Sequence, residues 1–253
     1  MNYKLLLVLL YCCFGASYVN AQKTFVVSVG IADYREISDL RFTENDVSTF
    51  NGIMNRYGAE ITTLLGCEAT HSNIIQKIRY VSAFAKENDT FVFFFSGHGY
   101  EGGFCCYDMR ANSYIGGISY QEIQILLRNC RAGRKVVIAD ACFSGGLSKQ
   151  RTALTVQAVQ KSNLLFFLSS QFDETSIELP NGPNGLFTYV LEAGLNGSAD
   201  SNGDNKITYQ EIYNFVYENV SNFTNQISHN QHPKMWGRFD PSTTFVNLNR
   251  NMQ

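Results

Sequence analysis

The stretch that decides the fold of this chain is Lys135-Val-Val-Ile-Ala-Asp-Ala-Cys-Phe-Ser-Gly-Gly146. An apolar run follows a basic residue, is interrupted by one acid and ends at a cysteine shortly before two glycines. A short run of this kind is typical of a buried strand in a parallel sheet. Open α/β sheets place their ligands and chemistry at the carboxyl ends of such strands. Cys142 therefore occupies the position of a nucleophile, two residues after Asp140.

A second stretch of the same design lies upstream, at Thr90-Phe-Val-Phe-Phe-Phe-Ser-Gly-His-Gly99. It predicts another buried strand, and it ends at His98 between two glycines, 44 residues before Cys142. A cysteine and a histidine at the ends of two strands of one sheet can be neighbours in space. A thiol nucleophile and its base require that arrangement.

The rest of the chain alternates strand patterns with helix patterns, which predicts an α/β domain. We expect about six mostly parallel strands, flanked by helices on both faces. Thr43 is predicted to cap the first helix, with Asp46 completing a capping box. The predicted strands span residues 24–30, 60–65, 91–95, 136–139, 164–168 and 243–248, and residues 100–117 are predicted to be irregular.

The first 21 residues have the pattern of a signal peptide. Lys4 precedes an apolar run from Leu5, and Val19-Asn20-Ala21 fits a cleavage site. The run is shorter than the roughly 20 residues of a membrane span, so we expect no span in the mature chain; a retained anchor is the alternative. The sequence thus predicts a secreted or periplasmic protein with one domain over residues 22–253.

Composition excludes one class of partner and fits a free thiol. The 253 residues carry a net charge of −2 and show no basic stripe, so no nucleic-acid partner is expected. Of the seven cysteines, five follow residue 21. Because that number is odd, at least one of them cannot pair within the mature chain.

Two motifs resemble those of a known family. Ser96-Gly-His-Gly99 and Asp140-Ala-Cys-Phe-Ser-Gly145 are similar to the histidine and cysteine motifs of the caspase and metacaspase group of cysteine peptidases. Gly185-Leu-Phe-Thr188 after the fifth strand agrees as well. Caspases carry glutamine two residues before the cysteine. Asp140 at that position makes the chain more similar to metacaspases and their bacterial relatives.

The resemblance implies peptide-bond hydrolysis on a caspase-like fold, with a peptide or protein as substrate and no required cofactor. Cys142 would be the nucleophile and His98 the general base and acid. The backbone N–H groups of Gly99 and Cys142 would form the oxyanion hole. The alternative for Cys142 is the ordinary role of a free cysteine, a small buried hydrophobe.

The resemblance also implies an acidic pocket for the residue before the scissile bond. Asp46 and Asp140 match the two acids of that pocket, and Ser96 would line it. Two carboxylates facing one cleft would bind a lysine or arginine side chain. Helix-dipole stabilisation by Asp46 and a structural role for Asp140 are the alternatives. Arg41 favours the opposite specificity, so cleavage after aspartate on the same fold stays open.

The stretch Asp200-Ser-Asn-Gly-Asp-Asn-Lys-Ile-Thr-Tyr-Gln-Glu211 fits a calcium loop of EF-hand type. The six ligand positions fall on Asp200, Asn202, Asp204, the Lys206 carbonyl, Thr208 and Glu211. Asn205 replaces the usual glycine, although asparagine also tolerates left-handed geometry. Thr208 and Glu211 would equally form a capping box, so calcium binding and helix capping both remain open.

Two further hypotheses concern how such an enzyme would behave. Lys149 and Arg151 lie in the polar segment 145–163, where an enzyme cutting after basic residues would cleave itself; an ordinary exposed loop is the alternative. A catalytically silent, calcium-dependent binding or scaffold module is the rival from another class. The presence of both His98 and Cys142 argues against that rival.

Overall fold

The computed structural model describes residues 22–142, 164–171, 173–179 and 182–249, and of Cys142 it describes the backbone. The predicted signal peptide and the segment 145–163 lie outside these ranges. Export and self-cleavage are therefore predictions that the described residues do not address.

Alternating strands and helices make up the described chain. The strands are β1 Thr24–Gly30, β2 Glu60–Leu65, β3 Thr90–Tyr100, β4 Gly103–Cys105, β5 Gly117–Ser119, β6 Arg134–Cys142, β7 Leu164–Leu168, β8 Lys206–Thr208, β9 Lys234–Gly237 and β10 Thr244–Asn247. The helices are α1 Thr43–Arg56, α2 His71–Ser82, α3 Tyr120–Arg128, α4 Leu186–Ala193 and α5 Tyr209–Gln226. A 3₁₀ turn covers Gly66–Glu68, and a π-helical turn, Gly194–Ser198, follows α4.

The main sheet has the strand order β2-β1-β3-β6-β7-β9. The first five are parallel to their neighbours, and β9 runs antiparallel to β7 at the edge. Alternate residues of β3 face opposite sides: Phe91, Phe93 and Phe95 pack with α2 and α3, and Val92 and Phe94 with α1, α4 and α5. The predicted α/β class, with about six mostly parallel strands and helices on both faces, is confirmed.

Two predictions about the strands were wrong in detail, and one strand was missed. The strand predicted over 243–248 does not join the main sheet, because β10 pairs with β8 in a separate antiparallel ribbon. The sixth strand of the main sheet is instead β9, whose Lys-Met-Trp-Gly sequence has no strand pattern. Residues 100–117 are not wholly irregular either, since β4 pairs with both β3 and β5.

The two central strands extend beyond their predicted ends. The strand predicted over 91–95 ends before Ser96, yet β3 continues through Ser96, Gly97 and His98 because each of them pairs with a residue of β6. The same pairing carries β6 on to Cys142. Both candidate catalytic residues therefore lie in the part of β3 and β6 where these two strands pair with each other.

The predicted capping box at the start of α1 is wrong. Phe42 occupies the N-cap, and no side chain caps the helix. The backbone N–H groups of Arg41 and Phe42 donate instead to Glu178 Oε1, at 2.9 and 3.2 Å. Asp46 is thereby left for other partners. Side chains do cap the next two helices, since Thr70 at α2 and Ser119 at α3 each accept the N–H three residues on.

We expect Phe50→Ala to lower the free energy of unfolding by about 3–5 kcal/mol, because it opens a cavity under α1. The Phe50 ring is fully buried and stacks on Phe94 of β3, with centroids 4.2 Å apart. Urea unfolding followed by circular dichroism measures the change. Tyr80→Ala is the matched control, since Tyr80 is 63% exposed and its loss should change stability by less than about 0.5 kcal/mol. Equal effects of the two substitutions would contradict this packing.

Candidate active site

The register of the two central strands brings the candidate dyad together. Ser96 pairs with Asp140, Gly97 with Ala141, and His98 with Cys142. Neighbouring strands are about 4.8 Å apart, so the backbones of His98 and Cys142 lie side by side at the carboxyl end of the sheet. This arrangement follows from backbone pairing alone.

The His98 ring is oriented by the loop between β1 and α1. Its Nε2 lies 2.8 Å from the backbone carbonyl of Ser38 and 3.3 Å from the Ser38 hydroxyl. A carbonyl oxygen only accepts hydrogen bonds, so Nε2 carries the hydrogen in this contact. The proton of a neighbouring thiol would then be accepted at Nδ1.

Tyr34 holds the backbone of His98 in place through a hydrogen bond. The Tyr34 hydroxyl accepts the His98 N–H at 2.8 Å and donates to the Cys105 carbonyl at 3.4 Å. The hydroxyl also crowds Gly97, where an added Cβ would lie 2.5 Å from it. The glycine before His98 is thus required by the close approach of Tyr34.

Burial lowers the pKa of His98, because the protonated ring would lose its hydration. The contact with the Ser38 carbonyl and the charges of Glu178 and Asp39 act in the opposite direction. The net lowering keeps the imidazole neutral at neutral pH. A neutral ring is the form that accepts a proton from a thiol.

Asp46, on the first turns of α1, is almost completely buried against β3. It is 2% exposed, and its Oδ2 accepts the Ser96 hydroxyl at 2.7 Å. Its Oδ1 accepts Asn184 Nδ2 and the backbone N–H of Gly185, both at 3.0 Å. Three donors therefore converge on this carboxylate.

Asp140 meets the same turn from the end of β6. It is 6% exposed, and its Oδ2 accepts the N–H and hydroxyl of Thr188, at 3.1 and 2.9 Å. A Cβ on Gly185 would lie 2.4 Å from that oxygen. Gly185 therefore touches both acids: its N–H binds Asp46 and its Cα packs against Asp140. A larger residue would push the two carboxylates apart.

The surroundings of these acids favour their neutral forms. Burial raises the pKa of Asp140 to about 6. Burial, and after it the charge of Asp140, raises the pKa of Asp46 well above its ordinary value. Within the described ranges, no lysine or arginine forms an ion pair with either carboxylate. The pair thus has hydrogen-bond donors but no positive charge to balance it.

The segment after β7 holds the end of β6 in place. The Ser169 hydroxyl accepts the Ala141 N–H at 3.0 Å, and the Ser176 hydroxyl donates to the Ala141 carbonyl at 3.2 Å. Gln231 stabilises this segment, since its side chain accepts the Ile177 N–H and donates to the Ser169 carbonyl. Ala141, between Asp140 and Cys142, is therefore held by its pairing with Gly97 of β3 and by the two serine hydroxyls.

The structure assembles most of the residues that the sequence singled out. His98 and Cys142 are strand neighbours, Gly99 follows His98 in β3, and Ser96 binds Asp46 beside Asp140. Residues that sequence reasoning missed are Tyr34, Ser38, Asn184 and Glu178. They lie in loops without a periodic pattern, and only Asn184 stood next to a quoted motif.

The candidate calcium loop is closed by its own hydrogen bonds. Asp200 accepts the N–H groups of Gly203, Asp204 and Asn205. Asn205 has a φ of 61°, so it takes the left-handed geometry that the loop requires.

Thr208 and Glu211 form the capping box of α5, in which Glu211 Oε2 accepts both the N–H and the hydroxyl of Thr208. Glu211 Oε1 accepts the Ser201 hydroxyl at 3.0 Å. Both carboxylate oxygens of Glu211 thus already accept hydrogen bonds. The described residues contain no group of three acidic, histidine or cysteine side chains arranged for a metal. Helix capping is shown, and calcium binding stays a prediction.

Comparison with known proteins gives the family. The profile of the caspase domain of the C14 peptidases matches residues 23–240, so this chain belongs to the caspase domain family. The family is one of cysteine-type peptidases, which act on proteins.

A crystal structure of a protein from Geobacter sulfurreducens has the same fold. Its TM-score is 0.62 at 20% identity, over 89% of this chain and 97% of that one. No curated protein matches the sequence. None of the helices described here is long and apolar enough to cross a membrane.

We expect Asp140→Asn to stabilise the fold at neutral pH, measured as the free energy of unfolding in urea. The pKa of Asp140 is about 6 in the folded chain and about 4 in the unfolded one. The folded state therefore binds this proton more tightly, and that stability is lost as the pH rises from about 4 through 6. The asparagine variant should gain on the order of 2–3 kcal/mol over the wild type between pH 4 and pH 7.5.

Glu218→Gln is the control for this experiment, because Glu218 is an exposed acid on α5. Its stability should follow that of the wild type at every pH. If the free energy of unfolding changed with pH in the same way for Asp140→Asn and the wild type, the claim that burial raises the pKa of Asp140 would be contradicted.

The calcium prediction has its own test in the melting temperature of the protein. Millimolar calcium should raise the melting temperature of the wild type, because an ion that binds only the folded state stabilises it. Glu211→Gln should abolish the rise, since it removes the bidentate ligand. A melting temperature that calcium leaves unchanged would restrict the loop to its capping role.

Proposed function

We propose that this chain is an exported, metacaspase-like endopeptidase that cuts proteins after arginine or lysine with a dyad of His98 and Cys142. The observation that carries the specificity is the pair of buried acids, Asp46 and Asp140, which has no cationic partner among the described residues. The proposal for the dyad rests on the register that makes His98 and Cys142 neighbours.

The chemistry begins with proton transfer from the Cys142 thiol to Nδ1 of His98, which leaves a thiolate. The thiolate attacks the carbonyl carbon of the scissile bond, and the N–H groups of Gly99 and Cys142 would stabilise the oxyanion. His98 then gives its proton to the leaving amine as the C–N bond breaks. Water, deprotonated by His98, hydrolyses the resulting thioester and restores the thiol.

The surroundings of His98 support its part in this cycle. The Ser38 carbonyl accepts from Nε2, so the ring keeps one orientation while Nδ1 gains and loses the proton. The same carbonyl stabilises the imidazolium when it forms. The lowered pKa of His98 favours return of the proton to the leaving amine.

The acid pair supports a basic residue before the scissile bond. Burying two carboxylates without a counter-charge costs free energy, which the raised pKa values of both groups record. A guanidinium or ammonium group would supply the missing charge and would hold both acids in their ionised forms. Asp46 and Asp140 would thus select the substrate at the expense of stability.

Cleavage after aspartate requires a cation where the acid pair lies. Arg41 is the candidate, and its guanidinium sits over the ring of Phe42, 5.3 Å from the centroid. The carboxylate of Glu178 accepts the backbone N–H of Arg41, so a negative charge lies beside this residue. These contacts favour the basic specificity over the acidic one.

The proposal predicts the turnover of matched peptides that differ only in arginine or aspartate before the scissile bond. The arginine peptide should be cleaved, and Cys142→Ala or His98→Ala should abolish its cleavage. Asp140→Asn should lower its kcat/KM at least about thirtyfold, because a buried charge partner is lost. Glu218→Gln, which removes one exposed negative charge, is the matched control and should leave kcat/KM unchanged.

The outcomes separate the rival functions. Preferential cleavage of the aspartate peptide would keep the dyad and remove the acid pair from the pocket. Cleavage that survives Cys142→Ala would refute the dyad. No cleavage of either peptide, with Cys142 unreactive to a thiol reagent at neutral pH, would favour the silent scaffold.

A further inference from the structure

A cavity lies at the amino ends of β6 and β7, at the opposite end of these strands from the candidate dyad. It has a volume of about 360 Å³ and is lined by the first residues of β6, by Leu165 of β7, by Tyr209 at the start of α5 and by the loop after β9. Lys135 lines this cavity, and Cys142 stands seven residues further along the same strand. At about 3.3 Å per residue the two sites are about 23 Å apart, so they do not overlap.

Positive charge dominates the lining of this cavity. Arg134, Lys135 and Arg238 contribute to it, against the single acid Asp240. None of the three cations forms an ion pair with a carboxylate of the described chain. Asp240 is occupied at the rim, where its Oδ1 accepts the N–H and hydroxyl of Ser242.

Lys135 adds a positive charge to this lining. The residue is 9% exposed, and no carboxylate of the described chain forms an ion pair with it. An anion beside its ammonium group would gain a charge-assisted hydrogen bond. Arg134 is held rigidly alongside, because its Nε donates to Thr90 Oγ1 at 2.9 Å and its Nη2 to the Asn88 carbonyl at 3.0 Å.

The walls of the cavity suit a flat apolar group. Tyr209 and Phe239 meet edge to face, with centroids 6.0 Å apart, and Val136 and Leu165 add aliphatic surface. The Tyr209 hydroxyl is buried and finds no hydrogen-bond partner in the described chain. A buried hydroxyl is normally satisfied, so a polar group beside it would stabilise this wall.

We propose that this cavity binds a small planar molecule that carries a carboxylate or phosphate group. The anionic group would lie between Lys135 and Arg238, and the ring would lie against Tyr209 and Phe239. The volume falls in the range of sites for small ligands, roughly 300–1,000 Å³. A long polyanion fits poorly, because the net charge of the chain is −2 and its sequence has no basic stripe.

Isothermal titration calorimetry of the full chain with phenyl phosphate and with benzoate tests this inference. At least one of the two should bind saturably, with a Kd below about 1 mM, while neutral phenol should bind at least tenfold more weakly. Whichever probe binds identifies the anionic group as a phosphate or a carboxylate. Binding should weaken with added salt.

Variants locate the binding site. Lys135→Met keeps the length of the side chain, and Arg238→Gln alters an exposed residue, so both variants should fold. Each should weaken binding at least about tenfold, as expected for loss of a charged contact. Asp240→Asn should tighten binding, because it removes a repulsive charge. Arg79→Gln, on the exposed face of α2, is the matched control and should bind like the wild type.

Three results would overturn the inference: no saturable binding of either anion up to about 10 mM, equal binding of phenol, or binding that neither variant at Lys135 or Arg238 weakens. The first would leave Lys135 as a lysine that extends its ammonium group to the solvent. Cys142→Ala should bind the probe normally, so this test is independent of whether the chain is a peptidase.

Discussion

The close approach of two buried carboxylates is the constraint on which the functional end of this protein depends. Asp46 reaches the site from α1 and Asp140 from β6, and Gly185 fits between them with its N–H on one and its Cα against the other. Three separated parts of the chain are thus fixed to one another at the carboxyl end of the sheet. Only a residue without a side chain leaves both acids room, which explains the glycine at the start of α4.

The same pair connects stability with recognition. Burial raises the pKa of both acids, so the empty site is less stable at neutral pH than a site with uncharged side chains would be. Under the proposed specificity, a cationic substrate group would reverse that penalty when it binds, and the cost of the buried charges in the free protein would become selectivity for that group. The paired strands beneath, with His98 opposite Cys142, supply a rigid base for such a site.

How much the sequence could predict depends on how local each signal is. The continuous apolar runs of β3 and β6 mark buried parallel strands by themselves, and their motifs indicate the family. Strand β9 has no such pattern, because its place at the edge of the sheet comes from pairing with β7. The role of Ser38 could not be read from the sequence either, since its backbone carbonyl binds His98 only after the loop has folded. The resemblance implies a pocket role for Asp46, and the helix pattern predicts a cap there. The tertiary contacts exclude the cap, because Asp46 instead accepts hydrogen bonds from Ser96, Asn184 and Gly185.

The most direct test of this account is the proton balance when agmatine, a small guanidinium compound, binds to the wild type near pH 6. Calorimetry in buffers of different ionisation enthalpy measures the number of protons released per molecule bound. Because Asp140 has a pKa of about 6 and that of Asp46 is also raised, binding of the cation should release about one proton. Asp140→Asn should reduce this number. Binding without proton release, or release that Asp140→Asn does not change, would contradict the claim that the two buried acids recognise the basic side chain.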